Sequence, residues 1–311
     1  MTSDDLGREV ASGVAWPALA LEGWRNTKDT LHRYCQMVGK VRLALAAFLP
    51  HWWHVTLYVT VDGLTTGLMP VADGRTLEVR LDLRNHVVRI ADSLGQVEQF
   101  ALLPRFACAD FHDELLAALA RLGVVVDVDM TPYDLDGPAF GEDYDNDTYD
   151  GDAVVRFAQV LRSSTVVLEE FAGRFSGKQS PVHLFWHSFD LAHARFSGRR
   201  APVRAGAGTV EAEAYSHEVI AFGFWAGDDR VPYPAYYSYT APAPAGLTAQ
   251  PLTASEASWN EASGTATLPY DAVRTATDPR ATLLQFFEDA YRAGARAAGW
   301  DLDDLATRAA P

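Results

Sequence analysis

Apolar and polar positions in the first part of the chain switch from a helical to an extended pattern. Between residues 28 and 48 apolar side chains recur every three or four positions, which predicts a helix with one buried face. From His54 to Asp62 apolar and polar residues alternate, which predicts a strand beginning at His54. Further strands are predicted at 76–82, 86–91, 97–103 and 124–130, and a second helix at 110–122. This part therefore reads as helix, β-meander and helix.

The second part of the chain repeats that order. Its predicted elements are a helix at 152–173, an extended segment at 180–198, strands at 217–225, 234–242 and 264–269, and a helix at 279–298. His54 and His183 occupy matching strand starts, and a Leu-Pro pair precedes a helix in each part. The pattern predicts an α+β fold of antiparallel sheets with packed helices, built as two pseudo-repeated halves. The halves are residues 1–133 and 152–311, joined by an acidic loop at 134–151.

Charge and cysteine content narrow the classes of partner. The formal net charge is −15 over 311 residues, and such a field repels phosphate backbones and anionic membrane surfaces. No apolar run approaches the length of a membrane span. Two isolated cysteines, Cys35 and Cys108, form no disulfide or metal-binding motif. We therefore expect a cytoplasmic protein that binds neither nucleic acid nor membrane.

Several long stretches carry a family resemblance. They include HWWHVTLYVTVDGLTTG at 51–67, FSGKQSPVHLFWHSFDLAHARFSGRRAP at 175–202 and EAYSHEVIAFGFWAG at 213–227. These resemble an uncharacterised bacterial family defined as a domain of unknown function, so the resemblance implies no activity. The family pattern matches the chain at His183, Asp190, Arg195, His217 and Glu218. His187 and His193 depart from it.

Histidines at strand starts are the first candidates for chemistry. His183, His217 and Glu218 are predicted catalytic groups, because imidazole carries protons near neutral pH. If His54 converges with His183 and His217, the three could instead bind zinc or iron. No spacing here is a strong metal motif, and the alternative is a buried network of hydrogen-bonded histidines.

Cationic and aromatic side chains are the candidates for ligand binding. Lys40, Lys178 and Arg195 could hold an anionic group. For Arg195 we favour the alternative, a structural ion pair with Asp190, because buried arginines are normally paired. The predicted aromatic walls of a pocket are Trp52, Tyr58, Trp186 and Trp225. Aromatic side chains also fill ordinary β-sheet cores, so that alternative stays open.

Taken together, these features favour a small-molecule enzyme with a His, Glu and Arg pocket between the two halves, which could work with or without a metal. Its ligand would be a small anionic or aromatic molecule. The alternative is a ligand-binding module without catalysis, and a third class is an interaction protein with an exposed apolar patch. Dinucleotide, P-loop and nucleophile-elbow motifs are absent from the sequence, which disfavours those three kinds of enzyme.

Overall fold

The computed structural model describes residues 16–203 and 206–307, and it confirms the predicted α+β class. The helices of this part of the chain are α1 (Arg25–Leu45), α2 (Cys108–Arg121), α3 (Gly151–Ala172), α4 (Thr209–Ala214), α5 (Tyr270–Arg274) and α6 (Pro279–Ala297). Side-chain caps mark two of the starts. Asp150 accepts hydrogen bonds from the first turn of α3, and Asp278 accepts one from Ala281 in α6. Gly123 follows α2 in the left-handed conformation that commonly ends a helix.

The first sheet is an antiparallel meander that follows α1. Its strands are β1 (Tyr58–Val59), β2 (Gly63–Thr65), β3 (Met69–Pro70), β4 (Thr76–Asp82), β5 (Val87–Asp92) and β6 (Val97–Ala101). The spatial order is β1-β2-β4-β5-β6, and β3 also pairs with β4. One face is buried, as the alternation of buried and exposed residues along β4 and β5 indicates.

The second sheet is also antiparallel and has longer strands. They are β7 (His183–Phe185), β8 (Asp190–Arg200), β9 (His217–Trp225), β10 (Ala235–Ala241), β11 (Ser258–Asn260) and β12 (Thr265–Pro269), in the spatial order β11-β12-β10-β9-β8-β7. Because side chains alternate along a strand, His193 and Arg195 lie on the face that contacts Phe171 of α3. Phe196 and Val219 lie on the opposite face, here called the outer face, in a separate apolar cluster.

Backbone pairing joins the two sheets at their edges. Leu57, next to β1, exchanges two hydrogen bonds with Leu184 of β7, at 2.9 and 2.7 Å. The main group of buried apolar side chains draws on both predicted halves, including Leu31 of α1 and Phe157 of α3. The boundary between the halves is therefore continuous core rather than a solvent-filled cleft at this point.

Two predicted strands are shorter than expected. The segment from His54 to Asp62 forms a strand only at β1, because residues 50–52 are a 3-10 helix and a turn runs from Thr60 to Gly63. His54 therefore lies in a turn and does not begin a strand. The segment 180–198 is a hairpin, since the chain turns between β7 and β8 with Phe189 at a positive φ of 57°. Residues 124–130 form no strand.

The structure does not confirm the internal duplication. The strand expected at His54 is two residues of β1, whereas its counterpart region contains the hairpin of β7 and the eleven-residue β8. The acidic segment 134–151 is also not a solvated loop throughout. Phe140 is buried, and the carboxylate of Asp143 lies 3.1 Å from Arg33 Nε of α1.

None of the helices in the described ranges combines the length and apolar character needed to cross a membrane.

A close contact between α1 and the hairpin turn generates a prediction. A Cβ atom at Gly39 would overlap the Trp186 indole, which is fixed by its Nε1 hydrogen bond to Val55 O at 2.7 Å. We expect Gly39→Ala to lower the free energy of unfolding by about 1–3 kcal/mol, despite the higher helix propensity of alanine. Urea denaturation measures the change.

Gly23→Ala is the matched control, because no atom lies within 4 Å of a Cβ built there. It should change the free energy of unfolding by less than about 0.5 kcal/mol. Equal effects at Gly23 and Gly39 would contradict this account of the α1 contact.

Candidate functional site

A strained turn after α1 lies on the outer face of the second sheet. Some side chains of this turn pack on the sheet, and others point away from it. His51 and Trp52 are consecutive non-glycine residues at positive φ, 58° and 61°. Such conformations cost free energy for large side chains and often occur at functional sites. The His51 and Trp53 rings pack on Phe196, at 4.5 and 5.8 Å between ring centroids. Trp52 and His54 turn the other way and contact each other at 5.1 Å.

On the outer face the turn contacts Lys178. We call the group formed here the lysine–histidine cluster; its members are His51, Trp53, Lys178, Phe196 and His217. Lys178 Nζ lies 2.7 Å from His51 Nε2. On the other side of the ring, His51 Nδ1 lies 3.1 Å from the Ala214 carbonyl oxygen. A carbonyl only accepts, so Nδ1 carries the hydrogen and Nε2 presents its lone pair to the lysine ammonium. One tautomer of His51 is therefore fixed by its neighbours.

Burial and charge keep His51 neutral. Its side chain belongs to a residue that is only 4% exposed. Burial is the largest cause that lowers its pKa below the usual range, and the charge on Lys178 and repulsion from His217 when that ring is protonated act in the same direction. The hydrogen bond to Ala214 and the carboxylate of Glu213 oppose the shift. A neutral imidazole with a directed lone pair is a base that can accept a proton.

A second imidazole lies beside the first. His217 begins β9, and its ring centroid is 5.6 Å from that of His51. Its pKa is also lowered, by burial first and then by the charges of Lys178 and Arg200. The Ser216 hydroxyl lies 3.2 Å from His217 Nδ1. Two neutral imidazoles thus flank one ammonium group.

Backbone pairing positions the lysine. Phe196 N donates to Lys178 O at 2.9 Å, and Ser180 N donates to Ala194 O at 2.8 Å, so residues 178–180 run along β8. The ammonium lies over two aromatic faces, 5.5 Å from the Trp53 ring and 5.1 Å from the Phe196 ring. The Lys178 residue is exposed, so a small molecule can reach it from solvent. The cluster can attract an anionic or planar molecule and exchange protons with it.

A model of a family of unknown function matches residues 16–307. The chain belongs to this family, DUF5996. The resemblance to an uncharacterised domain family is thereby confirmed. No curated protein and no solved structure matches the chain.

In this DUF5996 chain, the predicted catalytic groups do not all meet. His217 lies in the lysine–histidine cluster, but Glu218 points to the opposite face of the sheet because successive side chains of a strand alternate. There Glu218 accepts hydrogen bonds from Ser197, Arg199 and Trp300. Its carboxylate therefore connects β8 with the segment after α6 and has a structural role. His183 is 1% exposed and lies apart from the cluster, near Tyr58 and Phe185.

The predicted metal ligands do not form a metal site. No three His, Cys, Asp or Glu side chains within residues 16–203 and 206–307 are grouped so that they could hold a metal ion. His54, His183 and His217 all lie in those ranges. His54 and His183 are both close enough to Arg42 for its charge to lower their pKa, whereas His217 responds to Lys178 and Arg200. The DUF5996 fold therefore divides these histidines between the two sides of the turn.

Most of the other predicted ligand-binding residues have structural contacts. Lys40 and Trp186 pack on each other, 5.9 Å from ammonium to ring centroid. Arg195 is enclosed by rings, and its guanidinium donates to Phe171 O. The expected ion pair between Arg195 and Asp190 is wrong, because Asp190 accepts from Ser188 and Tyr237 on the outer face. Trp225 shares that face with His217 but lies eight residues along β9, roughly 26 Å away.

Two residues of interest were not among the sequence candidates. His51 and Arg42 both lie near the end of α1, and neither follows a motif. The sequence signal for His51 is the HWWH segment, in which a histidine flanks each side of a tryptophan pair after Pro50. For Arg42 the sequence offers one signal. It is an arginine with an apolar residue on each side, near the end of a predicted helix.

The buried histidines of this DUF5996 protein predict a pH-dependent stability. Burial, and then the charge on Arg195, lower the pKa of His193 to about 3, and its Nδ1 donates to Ser180 O. In the unfolded chain the value returns to about 6.5. Between these values the unfolded state binds more protons, so the free energy of unfolding falls as the pH drops.

We expect His193→Gln to remove about 1.4 kcal/mol per pH unit from that slope between pH 4 and 5.5. Urea denaturation at several pH values measures it. Above pH 7.5 the two proteins should show parallel stability curves. Identical slopes at acidic pH would contradict the assignment of a neutral, buried His193.

Proposed function

We propose that this protein is a small-molecule enzyme whose proton transfers are carried by the lysine–histidine cluster. One observation carries the proposal: Lys178 Nζ lies 2.7 Å from His51 Nε2 while Ala214 O fixes the opposite nitrogen. A donor, a base and a third group that orients the base form the arrangement that acid–base and nucleophilic enzymes use. A histidine with a purely structural role does not need an exposed lysine beside the ring nitrogen that carries no hydrogen.

The roles follow from the charge of each group. Lys178 binds and polarises an anionic or carbonyl oxygen of the substrate. His51, neutral and oriented, accepts a proton from the bound molecule or from the Lys178 ammonium. His217 is near enough to exchange a proton with the same molecule from the adjacent side. Trp53 and Phe196 provide flat apolar faces, so the substrate class is a small anionic molecule with a planar or aromatic part.

The setting proposed for this reaction is the bacterial cytoplasm, with small molecules rather than nucleic acid as partners. The net charge of −15 supports the second point, because a strongly acidic protein repels polyanions. Both cysteines are buried free thiols, which suits a reducing compartment.

Lys178→Arg and Lys178→Met separate catalysis from binding. Arginine keeps the positive charge and the donor to His51, but its guanidinium does not release a proton. We expect Lys178→Arg to retain ligand binding and lower kcat by about 100-fold or more, and Lys178→Met to lose both. The substrate would be found by incubating the purified protein with a bacterial metabolite extract and following compound masses by liquid chromatography and mass spectrometry.

Arg84→Gln is the control, since Arg84 is an exposed residue in the turn between β4 and β5 of the first sheet. Compounds consumed by the wild type and by Arg84→Gln, but not by the Lys178 variants, would support the enzyme. A compound that is retained but never converted would contradict catalysis and favour the ligand-binding module. Conversion at an unchanged rate in both Lys178 variants, or no compound retained or converted by the wild type, would overturn the proposal.

A further inference from the structure

A buried arginine on the other side of the strained turn lacks an anionic partner. Arg42, in the last turn of α1, is 7% exposed. Throughout the described ranges no carboxylate lies within 4.0 Å of its guanidinium, and its Nε has no hydrogen-bond partner. The Tyr58 hydroxyl accepts a hydrogen bond from the guanidinium, whose carbon lies 5.3 Å from the Tyr58 ring centroid. Buried arginines are normally paired, so this one calls for an explanation.

Other buried polar atoms without hydrogen-bond partners lie in the same region. The Trp52 indole Nε1 and the His183 Nδ1 are buried atoms for which the described residues provide no hydrogen-bond partner. An indole nitrogen can only donate. His54 Nδ1 accepts from Leu49 N at 3.3 Å, so the hydrogen of its neutral ring is on Nε2. We call the group Arg42, Trp52, His54 and His183 the Arg42 cluster. Apart from the Tyr58 hydroxyl, the contacts of this cluster offer few acceptors for its donors.

Contacts hold the members of the Arg42 cluster around Tyr58 and the turn. The rings of Tyr58 and His183 are 6.4 Å apart, and those of Trp52 and His54 are 5.1 Å apart. The charge on Arg42 lowers the pKa of both histidines, after the larger effect of burial, which places both within electrostatic reach of the guanidinium.

The surroundings of the guanidinium include a glycine and exposed apolar residues. A Cβ atom at Gly67 would lie 3.6 Å from Arg42 Nη1, so the segment between β2 and β3 passes close to the guanidinium. The next residue, Leu68, is exposed, and so is Phe48, whose ring packs on Trp52 and His54. The segments that border Arg42 thus reach solvent.

We propose that the Arg42 cluster binds a small oxyanion, such as the carboxylate or phosphate group of a small ligand. An oxyanion accepts several hydrogen bonds at once and pairs with a guanidinium in a forked geometry. It would supply the acceptors that Arg42 Nε and Trp52 Nε1 lack, and it would accept from His183 in the tautomer that carries its hydrogen on Nδ1. The Trp52 ring, at the strained turn, lies on this side beside His54. The site is separate from the lysine–histidine cluster and does not depend on its function.

Arg42→Met is the first test, because it replaces an unpaired buried charge with an apolar chain of similar length. In buffer without oxyanions we expect the variant to be as stable as the wild type or more stable, since no ion pair is lost. Sodium phosphate should raise the melting temperature of the wild type by about 4 °C at a concentration about 100 times its Kd. It should leave Arg42→Met unchanged at equal ionic strength.

Arg162→Met is the matched control. Arg162 is a partly buried arginine that donates to Val61 O and to Gln159, and it should retain the phosphate response. The indole proton of Trp52, followed by ¹H–¹⁵N NMR, should shift with saturation on titration of phosphate or acetate. His183→Gln should weaken binding about 10-fold or more. A response to phosphate alone indicates a phosphoryl ligand, and a response to acetate indicates a carboxylate.

Two results would overturn the site. One is the absence of any saturable shift of the Trp52 resonance with either anion up to tens of millimolar. The other is an equal response in the wild type and Arg42→Met, which would mean a nonspecific salt effect. Strong destabilisation of Arg42→Met in buffer without oxyanions would contradict the account of Arg42 as unpaired.

Discussion

The packing of Trp186 against α1 holds together the parts of the molecule that matter for function. Its indole lies against Gly39, beneath the ammonium of Lys40, and its Nε1 donates to Val55 O. Val55 belongs to the segment that leads from the strained turn to Leu57, which pairs with Leu184 of β7. One side chain thus ties the helix, the turn and the edge of the second sheet. These contacts fix the chain directly after the turn, which helps His51 and Trp52 to keep their unfavourable backbone conformation.

Several histidines lie among apolar residues in the core of the protein. Burial lowers their pKa values, and the core accommodates them in the neutral form. His32, His183 and His193 are buried, and burial lowers the pKa of each to about 3, so each is neutral at pH 7. A neutral imidazole costs less to bury than a charge and can bond to backbone groups, as His193 does to Ser180 O. Most of the histidines in SPVHLFWHSFDLAHARFSGR are therefore polar members of the core.

Sequence periodicity was sufficient for the long helices and for β9, β10 and β12 of the second sheet, because each is one uninterrupted element. It was not sufficient at 54–62 and 180–198. Alternation of apolar and polar residues is the same for one long strand and for a hairpin, and only backbone conformation at Phe189 and at His51 and Trp52 distinguishes them. Adjacent residues such as His217 and Glu218 are close in sequence, yet a strand directs them to opposite faces. Pairings across 127 residues, as between His51 and Lys178, leave no local pattern.

Arg195, Arg42 and Lys178 have no carboxylate within 4.0 Å among the residues that the structure describes, and their surroundings differ. Arg195 is surrounded by aromatic rings, with its guanidinium 3.4 Å from the Phe171 centroid and 4.5 Å from that of Tyr291. Those π faces and the Phe171 carbonyl compensate its charge. Arg42 has one ring and no carboxylate within reach in the described chain, and Lys178 has a neutral imidazole as its hydrogen-bond partner. Arg42 and Lys178 lack this aromatic enclosure, and they are the two cations that we propose bind anions, on the two sides of a single turn.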